Sequence, residues 1–127
     1  SSDTRPPQIT ELKVESEIIG TGEEATAQMI VSYKTDEPST SQVEYGEGTG
    51  TVYSQKTQES GTLTDNHLVI ISGLAPGKVY HLRALSKDSA GNLAESIDKV
   101  VVSPKATENA LDLVVNNLTG VFSFLRN

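Results

Sequence analysis

The sequence has no cysteine and no tryptophan, only two histidines, a single methionine, and fewer cationic than anionic side chains. Without cysteine the chain has no disulfides, no thiolate nucleophile and no Cys-type zinc site, and its redox compartment stays open, compatible with export. Ten Lys and Arg stand against seventeen Asp and Glu, a formal charge of −7. That balance repels phosphate backbones and anionic headgroups, so nucleic acid is not an expected partner. Nor is there any run of about 20 mostly apolar residues, the length a transmembrane helix needs.

What is present reads as one domain. A chain of 127 residues can bury a core without metals or disulfides to staple it. The opening Ser1-Ser2-Asp3-Thr4-Arg5-Pro6-Pro7 has no initiator Met and no charged-then-apolar leader. It reads as an extended linker (1–7) at the start of a mature or excised fragment, with a neighbour upstream. From residue 8 to 103 short β-type runs alternate with turn chemistry. The first covers residues 8–15. In the second, Ala25, Ala27, Met29, Val31 and Tyr33 alternate with mostly polar residues and so line one core-facing side of a strand. Asp36-Glu37-Pro38-Ser39 is expected to break the chain, because proline cannot donate to a central ladder. Further strands are expected at 41–45, at 51–57 as a polar edge, at 67–72, at 79–86 and at 96–102. Seven strands in about a hundred residues suit a two-sheet sandwich.

The run Thr35-Asp36-Glu37-Pro38-Ser39-Thr40-Ser41-Gln42-Val43-Glu44-Tyr45-Gly46 and the run Gly73-Leu74-Ala75-Pro76-Gly77-Lys78-Val79-Tyr80-His81-Leu82-Arg83 carry a family likeness, as does the compact turn Asp88-Ser89-Ala90-Gly91-Asn92. Residues 6–104 resemble the bacterial fibronectin type III-like domains. The resemblance implies an all-β fold, a seven-stranded antiparallel immunoglobulin-like sandwich. It implies structural roles for Leu74, Pro76 and Tyr80, the last as a tyrosine corner whose hydroxyl bonds backbone a few residues upstream. Tyr33 stands where the family usually has a core tryptophan, and its phenol needs a partner.

Chemistry is sparse. His67 and His81 fall on the fifth and sixth expected strands, in opposite sheets, and read as structural. No nucleophile elbow or oxyanion signature accompanies the serines. Asp88 to Asn92 offers oxygen ligands but lacks the acidic alternation and terminal Glu of a calcium loop, and reads as a turn. Glu15, Glu17, Glu23 and Glu24 read as a solvated bend. No metal and no cofactor is expected. The tips at 36–40 and 87–92, expected together at one end, hold no Arg-Gly-Asp and no aromatic anchor. Asn117-Leu118-Thr119 matches a glycosylation sequon but falls in an expected helix, and reads as chance.

After Pro104 the pattern changes to helical (104–127). Thr107 can cap a helix with Glu108 in its first turn. Leu111, Val114, Val115, Leu118, Val121, Phe122 and Leu125 then form one apolar stripe, about 27 Å long at ~1.5 Å per residue. Interrupted by Asp112, Asn116, Asn117 and Gly120, it should not cross a bilayer. The polar outer positions of the second and fifth strands hold Ile30, Leu68 and Ile70, an expected docking patch, with Val100, Val102 and Leu85 as a counterpart on the other sheet. Helix docking onto its own domain ranks first, contact with another subunit (self-association) second, and a membrane surface third.

These readings together give a non-catalytic structural, spacer or adhesion/protein-interaction module of an exported or cell-surface protein, whose partners are other proteins or neighbouring domains of the same polypeptide. The alternative is an accessory domain of a larger secreted hydrolase or metallophosphatase. Nothing marks it as an enzyme in its own right.

Overall fold

A computed structural model describes residues 4–106 of the chain. The strands are β1 (Ile9–Ile19), β2 (Thr26–Glu47), β3 (Gln55–Lys56), β4 (Ser60–Leu74), β5 (Val79–Lys87), β6 (Leu93–Glu95) and β7 (Lys99–Val102), with one 3-10 turn at Gly22–Glu24. All pairings are antiparallel. The expected C-terminal helix, with Leu111, Val114, Val115, Leu118, Val121, Phe122 and Leu125, lies outside the described residues.

The organising element is β2. Its first half pairs with β1 and β4, and its second half pairs with β3 and β5, whose other side carries β6 and β7. One strand thus serves two sheets, and the chain changes layer within it. The expected break at Asp36 to Ser39 is instead this crossing. Pro38 falls between Lys34 and Ser39, where the pairing to β4 is irregular, so its missing N–H costs no ladder bond. Odd-numbered positions face the interior from Ala25 to Tyr45, interrupted only at Glu37 and the crossing, so the two halves share one phase.

The core lies between the sheets. Ala27, Met29, Val31 and Tyr33 from the first sheet meet Val43, Tyr80, Leu82 and Ala84 from the second, joined by Ile71 and Leu74 of β4. Burial of this apolar surface is the main source of cohesion, since no disulfide or metal site contributes among the described residues. At the β1 edge the pairing shifts between Thr10 and Lys13, with Glu11 at φ 55. Such a bulge ends ladder geometry locally and blunts an exposed edge.

The β4–β5 turn is tied down by several bonds. Ala75 N–H donates to the Tyr80 hydroxyl at 2.8 Å, Ser103 Oγ donates to Ala75 O at 2.7 Å, and Lys78 N–H donates to Ser103 Oγ at 2.9 Å. Leu74 is buried beneath the turn and Pro76 half-buried within it, while Gly77, at φ 64, reverses the chain and donates to Pro104 O at 2.9 Å. Tyr80→Phe leaves the Ala75 N–H without this acceptor. A stability loss of about 1–2 kcal/mol is expected, read as a lower urea midpoint at unchanged slope.

Besides the joining of the second and third expected strands in β2, the first runs on to Ile19 and three others differ. Only Gln55 and Lys56 of 51–57 pair, because the residues before them lie over the second sheet rather than beside it. The strand at 67–72 begins earlier, at Ser60. The last strand is split, since Ser96 turns its side chain into the ladder and Ala84 N–H donates to Ser96 Oγ at 2.8 Å. On the outer surfaces, Leu68 and Ile70 are largely exposed and Ile30 is half-buried. Val100 and Val102 are exposed on the other sheet, but Leu85 is 4% exposed and does not belong to an open patch there.

Candidate functional site

Two polar clusters hold the two histidines, one on each sheet. In the first, β4 aims His67 into the layer where β2 crosses, and the inward positions of β2 at the crossing are hydroxyls rather than hydrocarbons. Ser41 Oγ lies 2.7 Å from His67 Nδ1, and Thr35 Oγ1 lies 2.9 Å from Nε2. Ser39 Oγ donates to Thr35 Oγ1 at 3.0 Å. The Tyr33 ring stacks on the imidazole, centroids 4.4 Å apart and planes 5° from parallel. Both ring nitrogens are therefore occupied, and only a shallow hollow of about 160 Å³ lies above the ring. To act as a base on an outside molecule, His67 would have to give up one of these bonds. No carboxylate orients it, so a nucleophile–base–acid relay is not assembled.

Burial pushes the His67 pKa below its ordinary 6.5, and the negative charge of Asp65 only partly offsets this. The unfolded chain then takes up a proton near pH 6.5 while the folded chain still refuses it. Between the two pKa values the unfolded state binds more protons, so stability falls as pH falls. Stability is expected to drop below pH 6.5 by up to about 1.4 kcal/mol per pH unit until the folded ring protonates. Denaturation series at pH 7.5 and 5.5 on the protein and on His67→Asn check it. An equal slope in both would remove His67 as the cause.

The second cluster is on the outer face of the second sheet, yet it is covered. His81 points away from the core and is 1% exposed, because residues 52–54 pass over it. The Tyr53 ring sits 4.6 Å from the His81 ring, centroid to centroid, and the Arg83 guanidinium lies 4.7 Å over Tyr53. Tyr53 donates to Asp98 Oδ1 at 2.6 Å, and His81 Nδ1 donates to the same oxygen at 2.9 Å. Arg83 pairs with Glu44 and, at 2.9 Å, with Glu95. Loss of solvent, the bond to Asp98 and its negative charge push the Tyr53 hydroxyl up to about 12. Partial burial works against ionised Asp98, but the bonds from Tyr53 and His81 outweigh it and hold the carboxyl below the usual range. Likewise burial opposes the Arg83 charge and Glu44 more than restores it. The cluster is a strap that fastens residues 52–54 and 98 onto β5.

Elsewhere, the tips at 36–40 and 87–92 do meet. Lys87 N–H donates to Thr40 Oγ1 at 2.9 Å, and Ser86 Oγ donates to Thr40 O. Asp88 receives the N–H groups of Ala90 and Asn92, each at 2.9 Å, and Asn92 Nδ2 at 3.0 Å. Its carboxylate is spent on forming the turn. Among the described residues no group of three or more His, Asp and Glu side chains could hold a metal. A cleft of about 380 Å³ lies between the end of β4 and the start of β3, lined by Tyr45, Glu47, Ser54, Gln55, Ser72 and Tyr80 among others. Among the described residues its lining holds one carboxylate and no histidine, lysine or arginine.

The sequence picked out Tyr33 and Tyr80 but not Ser41, Thr35 or Asp98 as partners of the histidines. Thr35, Ser39 and Ser41 carried a signal, namely hydroxyls at alternate positions in phase with the core face. Tyr53 and Asp98 carried none, since both sit on irregular backbone far apart in the chain.

Over the described residues the fold is all-β, two sheets packed face to face, and the side chains of the two histidine clusters are bound into its own framework. Compared with protein-family models, with curated proteins and with solved structures, the chain gives no match. No helix among the described residues is long and apolar enough to cross a membrane.

Proposed function

We propose that this domain is a non-catalytic spacer and protein-interaction module of an exported or cell-surface protein, a fibronectin type III-like sandwich. The observation that carries the reading is where the chain enters and leaves. Gln8 N–H donates to Asp36 Oδ1 at 2.8 Å and Arg5 pairs with Asp36, so the chain enters beside the crossing of β2. Pro104 is held by Gly77 at the β4–β5 turn, next to where Ala27 of β2 pairs with Leu74. Entry and exit are separated by the length of the first half of β2, roughly 25–30 Å at about 3.3 Å per residue. A module strung this way sets a distance between its neighbours. The histidines support the same reading, because both ring nitrogens of His67 are engaged and His81 is buried beneath Tyr53 with Nδ1 on Asp98.

The test replaces residues 8–103, in cells that make the protein, with an unrelated sandwich of equal end-to-end length. Surface accessibility of the flanking regions to antibody is expected to persist with the replacement and to be lost on deletion. Loss with the replacement would overturn the spacer reading and point to a specific binding surface. Purified protein should also show no turnover of ester, phosphoester or peptide substrates that His67→Asn or His81→Asn removes.

A further inference from the structure

Among the described residues the first sheet ends in the edge strands β1 and β4, and the second in β3 on one side and β6 and β7 on the other. An unpaired edge invites another strand, and short length, bulges and charge are the usual protections against it. On the second sheet β3 has two residues, β6 three and β7 four. On the first sheet β1 is interrupted by the bulge between Thr10 and Lys13 and carries Glu11, Lys13, Glu15 and Glu17. The edge of β4 lacks all three protections from Asn66 to Ile71. Its ladder with β2 is regular there, no residue is charged, and it has no other strand partner among the described residues.

The bonding groups of this edge point outward. Thr64 Oγ1 accepts from Asn66 N–H at 3.3 Å and donates to Asn66 O at 3.1 Å, so these backbone groups turn away from β2. In an antiparallel ladder that orientation recurs at every second residue, which places the N–H and C=O of Leu68 and Ile70 on the same open side. Their side chains are 63% and 53% exposed. Backbone donors, backbone acceptors and apolar side chains are thus offered together.

We propose that β4 pairs antiparallel with β4 of a second copy of this chain, about a two-fold axis at Val69, so that the two first sheets become one continuous sheet. The register argues for this occupant. With Val69 opposite its counterpart, Leu68 of each copy stands opposite Ile70 of the other, and each such pair exchanges two backbone bonds. His67 falls opposite Ile71, Asn66 opposite Ser72 and Asp65 opposite Gly73, so no like charges meet. The strand is complementary to itself, as a closed two-fold interface requires. An added strand also lies on the far side of β2 from Lys13, Glu15 and Glu17, which stand beside Ser32, Ile30 and Gln28. Each copy carries a formal charge of −7, and the long-range repulsion this causes is screened beyond about 8 Å at ~0.15 M salt.

Sedimentation velocity of the whole chain at about 0.15 M salt is expected to pass reversibly from one copy to two as protein concentration rises. In parallel, hydrogen exchange at the amides of Leu68 and Ile70 should slow about tenfold or more, while β1 amides do not change. Leu68→Lys and Ile70→Glu alter exposed side chains, and each should weaken pairing about tenfold or more by setting a charge against an apolar partner. Mixed in equal amounts, the two variants should pair nearly as tightly as the unmodified chain. The register then sets the two substituted side chains opposite each other as an ion pair and keeps one pair of Leu68 and Ile70. Protected β5 amides in each variant would show an intact core. A single copy at every concentration, a dimer that survives either substitution, a mixture no tighter than the separate variants, or protection gained on β1 or β7 instead of β4 would each overturn the proposal.

Discussion

Tyr33→Ala is expected to destabilise the domain by about 3–5 kcal/mol, and Tyr33→Phe by about 1–3 kcal/mol. The side chain is 2% exposed and is shared between the sheets. Its ring packs in the core and stacks on His67, while its hydroxyl lies at the second sheet, donating to Leu85 O at 3.0 Å and accepting from Gln42 N–H at 3.2 Å. Ser86 Oγ, whose proton goes to Thr40 O, lies 3.4 Å from the Tyr33 hydroxyl. Burial pushes the hydroxyl pKa up despite these partners, which keeps it a neutral donor at alkaline pH. Alanine removes both the ring and the bridge, leaving a cavity beside the His67 network. Phenylalanine keeps the packing but removes the hydroxyl's bonds to the backbone of Gln42 and Leu85, which remain cross-strand partners. Typical domain stabilities are about 5–15 kcal/mol, so the alanine variant should sit close to unfolding. Urea denaturation followed by circular dichroism distinguishes the two costs. A phenylalanine variant as stable as the parent would mean that the hydroxyl bridge contributes nothing net.

Tyr33 also shows how the fold was legible. The alternation from Ala25 to Tyr33 gave the core face of the first half of β2, and the Gly73 to Arg83 run gave the β4–β5 turn with its tyrosine. In the same region Pro38 misled, because a residue without an N–H signals the end of a ladder, whereas here it marks the residues between two ladders. The phase of the alternation held the better information. Thr35, Ser39, Ser41, Val43 and Tyr45 keep the parity of Ala25 to Tyr33, which an independent third strand need not do. The split of the last strand depends on a hydroxyl replacing a backbone acceptor at Ser96, and such an exchange has no sequence period. The strap over His81 was illegible for a similar reason. Residues 51–57 have strand-like composition, but their packing is decided by Asp98 and Arg83, neither of which is nearby in the chain.

Gly46 is the residue whose role the structure changes most, and Gly46→Val is expected to destabilise the domain by about 1–3 kcal/mol while releasing the strap. Beside Glu47 and Gly48 it reads as turn glycine, yet it lies within β2, paired with His81 of β5. Space, not backbone freedom, requires it. A Cβ here would stand 3.0 Å from Val52 O and 3.2 Å from His81 Nε2. The imidazole has little room to retreat, held by Asp98 at Nδ1 and covered by Tyr53. The carbonyl of Val52 is the part that can move, and moving it lifts Tyr53 from His81 and Arg83. The strap then loses the 2.6 Å bond to Asp98 that helps raise the Tyr53 hydroxyl to about 12. In an ultraviolet phenolate titration of Gly46→Val, one tyrosine should therefore move from about 12 towards the ordinary phenol value of about 10. The unfolding midpoint should fall in parallel, whereas Gly61→Ala, with open space around its Cβ position and no positive φ, should leave the Tyr53 titration in place. An unchanged titration in Gly46→Val would show that residues 52–54 are not held against β5 by close packing at Gly46.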